Sequence, residues 1–469
     1  MDQKGTATLL ELAAKSLLSN EPAAIHALEE LPRDLFVPLF GAAFLGGHTK
    51  VLKELVRVWP FYCLHIRMSF REKSSYEILE AMIDGLQTLP AQNSSLRRPK
   101  LRILDLRQDL ECETTCSEFR KKTPSCSESC IYSQHSILKI KEARQHNAQC
   151  LGIIHSESEP QSAWEPMELL VDISISGTLR KNQFLSFLRR KVEQSFGSLH
   201  LCCRGLQIDN VSSDRSILRF VDMGCADYLE VKNADLSEVT TLFNEMIHLT
   251  SLCLFNIPFK SCKGRNFRNF LTWLGRLDSL QDISLSLFYL KNQLQKLLRV
   301  LPPDVDTFYL SSCDLSNRDV TALSQSPQAA HITLLDLSNN EIFSEAYGPF
   351  QTLLENVSGT LQYLQVNNCR ITDSALSAVL PALSHCSHLR VLSFAHNPIT
   401  MPMLMSLLQQ LTSLMELKHV IYPVPVHCYE QEDSHSRLDR QKLAEVQAQL
   451  LMMLQMVQRE DMNWTTSHE

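Results

Sequence analysis

The chain has 469 residues, 44% of them hydrophobic, enough to bury a large core and, by length, to build two to four domains unless repeats merge them. Its formal net charge of −7 provides no global positive field for nucleic acid or an anionic membrane surface. No uninterrupted apolar run of about 18 residues could span a bilayer, and Glu11 and Lys15 interrupt the first apolar stretch in a way that a secretory signal would not. The expected location is the cytosol, the nucleus or both. In such a reducing compartment, Cys202, Cys203, Cys253, Cys313 and Cys369, all inside apolar strand patterns, read as small buried hydrophobes.

In chain order, residues 1 to about 95 have a helical pattern. It begins with "TLLELAAKSLL", Thr8 to Leu18, where Thr8 and Glu11 have the spacing of a capping box and Leu9, Ala13 and Leu17 share one face. "LRILDL" from Leu101 has strand character and fits the first half of a repeat template that recurs further along the chain. Residues 107–166 are polar and rich in Ser, Glu, Lys and Cys, and read as a loop interrupting the strand-bearing part of the chain. Within that insertion Cys112, Cys116, Cys126 and Cys130 form C-x3-C-x9-C-x3-C, with His135 and His146 nearby. Four soft ligands suit a tetrahedral zinc, but the spacing is not that of a standard knuckle, and a loop with free thiols is the preferred reading. "MELLVDISI" and "SLHLCCRGLQI" are strand-like without clean register, whereas "ADYLEV" from Ala226, "LTSLCLFNI" from Leu249 and "LQDISLSL" from Leu280 fit the first half of a repeat template.

Four segments carry that template in full: "VDTFYLSSCDL" from Val305, "ITLLDLSNNEI" from Ile332, "LQYLQVNNCRI" from Leu361 and "LRVLSFAHNPI" from Leu389. Their starts lie 27, 29 and 28 residues apart, each is apolar at positions 1, 4, 6 and 11, and position 9 is Cys313, Asn340, Cys369 or Asn397. This is the period of a long leucine-rich repeat with one strand and one helix per coil: positions 4 and 6 face inward, position 9 satisfies backbone groups between coils, and position 11 returns to the core. The expected fold is therefore α/β, a leucine-rich-repeat solenoid or horseshoe over 96–420, with an N-terminal helical cap over 1–95 and a capping helix and tail over 421–469. "LMELKHV" from Leu414 reads as a degenerate last strand, "RQKLAEVQAQLLMMLQMV" from Arg440 as the end cap, and "NWTTSHE" as frayed.

The outward positions of these strands, Thr307, Tyr309, Asp336, Tyr363, Gln365, Asn367 and Ser393, are the expected protein-binding concave face. Two LxxLL strings, at 294–298 and 404–408, fall where repeat helices bury their leucines. No phosphate loop, nucleophile elbow, HExxH pair or GxGxxG turn is present, and histidines such as His200 and His396 are scattered through turns, so neither enzymatic activity nor a cofactor is expected.

"LPRDLFVPLFGAAFLGGHTKVLKELVRVWPF" from Leu31, "SLHLCCRGLQI", "LSQSPQ", "LPALSHCSHLRVLSF" and "HVIYPVPVHCYE" together resemble the PRAME and oogenesin family of leucine-rich-repeat proteins, across nearly the whole chain. The resemblance implies a substrate-recognition adaptor of a cullin-2 RING ubiquitin ligase, with elongin B/C and cullin-2 as partners and a protein substrate captured for degradation. The alternative reading is a non-ligase leucine-rich-repeat scaffold acting as a transcriptional corepressor or as a regulator of differentiation, proliferation and apoptosis. An elongin-docking helix carries a small residue, Leu, Cys and an aliphatic residue at fixed spacing. Thr8, Leu9, Ala13 and Leu17 occupy those places, with Ala13 standing where the motif prefers Cys. Leu31, Pro32, Leu35 and Leu39 match the apolar-Pro-x-x-apolar signature by which such receptors select cullin-2, Pro32 opening the next helix and aiming Leu35 and Leu39.

Overall fold

The computed structural model describes residues 9–61, 63–66, 73–87, 101–106, 167–175, 179–195, 197–209, 211, 222–343, 346–432 and 435–466. Thr8 and the whole of the 107–166 insertion, with its Cys112, Cys116, Cys126 and Cys130, lie outside them. Two compact units form, one from residues 1–207 with 215–226, the other from 208–214 with 227–469.

The first unit opens with four helices: α1 (Leu9–Leu18), α2 (Glu21–Ala27), α3 (Phe36–Gly46) and α4 (Thr49–Arg57). Trp59, fully buried, is their anchor. Its ring meets Phe36, Phe40 and Phe61 edge-on at 6.1, 5.5 and 5.7 Å, the T-shaped arrangement that aromatic quadrupoles favour. Strand β1 (Cys63–His65) comes next, inside the stretch expected to be wholly helical, and pairs in parallel with β2 (Ile103–Asp105), which pairs in turn with β3 (Met167–Ile175). Coil stacking thus starts some forty residues earlier than the repeat pattern indicates, because a three-residue strand is too short to show alternation. Helix α5 (Lys73–Gln87) lies so close to α4 that a Cβ at Gly85 would run into the Lys53 carbonyl oxygen. Helix α6 (Leu179–Gln194) and β4 (Leu199–Ile208) close the unit. Between α5 and α6 the buried Lys191 ammonium bonds Glu80 at 2.8 Å and Asp84 at 2.9 Å; burial alone would lower its pKa, and the two carboxylates outweigh that and hold it up.

The second unit is a leucine-rich-repeat array. Strands β5 (Tyr228–Lys232), β6 (Ser251–Phe255), β7 (Asp282–Ser286), β8 (Thr307–Tyr309), β9 (Leu334–Asp336), β10 (Tyr363–Gln365), β11 (Val391–Ser393) and β12 (His419–Tyr422) pair in sequence order, every ladder parallel and in step. Helices alternate with them: α7 (Leu236–Leu242), α8 (Gly264–Leu274), α9 (Leu294–Leu298), α10 (Asn317–Ser324), α11 (Gly348–Val357), α12 (Asp373–Ser384) and α13 (Met401–Leu411). Template positions 1, 4, 6 and 11 of the four clear repeats are all at most 4% exposed. The leucines of both LxxLL strings are buried in α9 and α13, as core.

Position 9 builds a polar spine through this core. Asn340 accepts from the Cys313 and Leu315 N–H groups, both at 3.0 Å, and donates to the Leu310, Leu337 and Ser338 carbonyls. Asn397 repeats the set one coil pair later, on Cys369, Ile371, Val366, Phe394 and Ala395. In the alternate coils the side chain is a thiol: Cys313 donates to the Leu285 carbonyl at 3.1 Å and Cys369 to that of Leu337 at 3.3 Å. Position 8 is left-handed in every clear repeat, with φ of 57°, 58°, 51° and 57° at Ser312, Asn339, Asn368 and His396, which turns the chain out of each strand.

The C-terminal end is more ordered than its sequence indicates. After the hairpin β13 (Tyr429–Glu432) and β14 (His435–Leu438), helix α14 (Arg440–Met456) buries Leu443, Val446, Leu450 and Leu454. "NWTT", expected to fray, is β15 (Asn463–Thr466), a last parallel strand on β12. It is seated by Arg459, buried, whose guanidinium donates to the carbonyls of Thr412, Leu414 and Leu417 beyond the end of α13 while Nε bonds Asp461 at 2.9 Å.

Candidate protein-interaction surfaces

Helix α1 buries Ala14 and Leu18, one turn apart, and turns its other side outward. Leu18 is 2% exposed while Leu9 is 85% exposed, and Leu12 and Ala13 are exposed as well. At 100° per residue Leu9 and Ala13 lie well away from the Ala14–Leu18 stripe, and Leu17, between the two, is half-buried. The face bearing Leu9, Ala13 and Leu17 is therefore not the one that packs into the unit. Three large apolar side chains on a ten-residue helix, Leu9, Leu10 and Leu12, face solvent, an arrangement that water does not favour unless something else covers it.

The second signature divides. Pro32 caps a 3-10 turn, Arg33–Leu35, as expected of a residue with fixed φ at a helix start, and is exposed beside half-buried Leu31 and Leu35. Leu39 is buried in the core of α3 together with Phe36 and Phe40, which corrects the expectation that Leu35 and Leu39 point together at a partner. The i, i+4 spacing assumes one continuous α-helix. Leu35 instead sits in the tighter 3-10 turn, so the phase changes between the two residues.

The strand face of the second unit is also less open than alternation implies. Thr307, Tyr309, Tyr363, Gln365 and Asn367 are half-buried, but Asp336 and Ser393 are only 7% and 3% exposed. Both are corrected from contact residues to members of a polar ladder. Asp336 accepts from the Ser338 N–H at 2.8 Å; the Ser338 hydroxyl accepts from the Asn367 N–H; and the Asn367 side-chain oxygen accepts from the Ser393 hydroxyl at 2.7 Å and the Ala395 N–H at 2.8 Å. Burial pushes the Asp336 carboxyl upward, against the pull of its bonds to Ser338. What this face offers outward is chiefly the tyrosine rings and amides of Tyr309, Tyr363 and Gln365, groups suited to protein contact. Among the described residues no acid, base and nucleophile converge on it.

Family models described as the PRAME N-terminal domain and the PRAME C-terminal domain match residues 6–112 and 167–467. The human protein "Leucine-rich repeat-containing protein 14" is 30% identical over 502 residues, covering 98% of this chain and 97% of its own. Human "PRAME family member 12" is 32% identical over 459 residues, 95% of this chain and 89% of its own. Among solved structures, that of the Rad7 and Elc1 complex in yeast covers 84% of this chain and 94% of its own at 11% identity, with a TM-score of 0.37, too loose to bear on partners.

Proposed function

This chain belongs to the PRAME family of leucine-rich-repeat proteins, and from that premise we propose that it is a substrate-recognition adaptor of a cullin-2 RING ubiquitin ligase. In this reading α1 docks on elongin C through Leu9, Ala13 and Leu17, the segment around Pro32 and Leu35 adjoins cullin-2, and the strand face of the repeats holds a protein target. The adaptor supplies position rather than chemistry, raising the effective concentration of the target near the ligase. The observation that carries it is the outward face of α1: a helix packed by Ala14 and Leu18 leaves Leu9 and Ala13 uncovered.

Magnitudes support a docking role despite Ala13. Covering a largely exposed Leu9 removes enough apolar surface for about 2 kcal/mol, whereas an Ala in place of Cys forgoes about 1 kcal/mol. The deciding experiment is purification of the full chain from cells, probing for elongin C and cullin-2. Wild type should retain both, and Leu9→Arg should lose elongin C at least tenfold with an unchanged melting temperature. Absence of both partners from the wild type sinks the proposal. Retention of a target by the strand face without either partner favours a scaffold outside any ligase.

A further inference from the structure

The histidine at position 200 reads in the sequence as one of several scattered structural residues, yet folding brings it beside two groups that sequence spacing does not join to it. His200 lies in β4, and Asp222 pairs with the same strand through an isolated parallel bridge to Cys202, then caps the 3-10 turn Met223–Cys225. His200 Nε2 stands 3.0 Å from Asp222 Oδ2, and the Cys225 Sγ is 3.8 Å from the same oxygen. The three donor atoms all lie within 4.8 Å of one another.

We propose that His200, Asp222 and Cys225 form a binding site for a divalent transition metal, zinc in the first instance. Three arguments carry it. The donor set is imidazole, carboxylate and thiol, a combination that selects zinc or cobalt over magnesium or calcium. The geometry is close to what the metal needs: tetrahedral arms of about 2.0–2.3 Å place ligand atoms about 3.4–3.6 Å apart, and the two distances here fall on either side of that. The carboxylate is also held from behind, since Oδ1 accepts the Gly224 N–H at 2.9 Å, leaving Oδ2 aimed at the other two groups.

Binding would replace the thiol proton, which passes to solvent, and turn two contacts to one oxygen into three metal bonds. A thiolate, a carboxylate and a neutral imidazole carry two negative charges, matched by the ion. Cys225 is 2% exposed, so it anchors the site from the interior, whereas His200 and Asp222 are partly exposed and give an ion a route in. Three protein donors supply three tetrahedral positions; the fourth falls to water or an incoming donor. The metal would clasp the turn at 223–225 onto β4, stiffening the first unit.

The test uses the full chain stripped of metal and titrated with Co2+, whose thiolate charge-transfer absorption reports sulfur ligation, and with Zn2+ followed by metal analysis. Because Cys112, Cys116, Cys126 and Cys130 are a rival set, a variant with all four changed to Ser is run in parallel. One equivalent, a thiolate band and metal-dependent slowing of amide exchange at residues 199–203 and 222–225 are expected in wild type and in the four-serine variant alike. Cys225→Ser should abolish the band, and His200→Ala, at a partly exposed side chain, should weaken binding at least tenfold; if Cys225→Ser does not fold, the His200 variant decides. Binding that disappears with the four cysteines, survives in the His200 and Cys225 variants, or is missing from wild type overturns the proposal.

Discussion

Replacing Asn340 with Ala tests whether the polar spine holds the repeats together. The side chain serves five backbone groups: it accepts from the Cys313 and Leu315 amides and donates to the Leu310, Leu337 and Ser338 carbonyls, all within 3.2 Å. Each of the two amides, buried and stripped of its acceptor, costs about 1–3 kcal/mol. Adding a smaller share for the carbonyls, the expected loss is about 4 kcal/mol, at the upper end of single substitutions. The neighbouring Asn339 is the control. It is exposed, bonds Asn368 across the outside of the coils and has φ of 58°, so Asn339→Ala should cost only about 1–2 kcal/mol, mainly for placing a side chain without a local hydrogen bond in the left-handed region. Urea unfolding followed by far-UV circular dichroism gives the totals, and amide exchange at Cys313 and Leu315 locates them. Asn340→Cys should fall between wild type and Asn340→Ala, since thiols hold the same place in the flanking coils. An Asn340→Ala stability within about 1 kcal/mol of wild type, or protection at Cys313 unchanged, would show that the spine is not what the coils depend on.

Three further outcomes are expected from the packing. Gly85→Ala introduces the better helix former, yet should destabilise by about 2 kcal/mol, because the new methyl must displace the Lys53 backbone; thermal melting with a net gain would refute the close approach of α4 and α5. On α1, Leu18→Ala should cost about 3 kcal/mol and Leu9→Ala less than about 0.5 kcal/mol, so equal losses in denaturant titrations would mean that both faces are packed. At the C-terminus the Arg459 and Lys418 side chains hold the Asp461 carboxyl well below the usual carboxylate range. Its folded pKa is depressed, so the stabilisation is present above the unfolded value of about 4 and is lost as pH falls below it. Protection factors at residues 463–466 should drop in acid for wild type, and Asp461→Asn should flatten that dependence.

How much of this was legible in the sequence depends on how each feature is encoded. The repeats declare themselves because positions 1, 4, 6 and 11 recur with a fixed period, and a buried position tolerates few residue types. The terminal strands do not. β1 is only three residues long, and β15 is polar "NWTT", ordered by the edge of β12 and by a guanidinium that reaches back to Thr412, a contact no local pattern announces. Leu39 misleads because the helix opened at Pro32 is expected to keep one phase as far as Leu39, whereas a 3-10 turn at Arg33–Leu35 intervenes before α3 begins at Phe36. Asp336 and Ser393 mislead because alternation predicts direction, not cover, and bonds between coils draw them in. His200, Asp222 and Cys225 converge only once two coils lie side by side, 22 residues of chain separating the first pair.

The thiols of the spine have a practical consequence. Burial pushes Cys369 up to about 12 and raises Cys313 further, so in the closed array neither presents a thiolate. An alkylating reagent can reach them only when the surrounding coil parts. Each becomes a slow clock for its own stretch of solenoid: the rate at which Cys313 or Cys369 is captured, read by mass spectrometry under native conditions, reports how often that coil opens. The array carries such clocks at alternate turns without any label having been introduced.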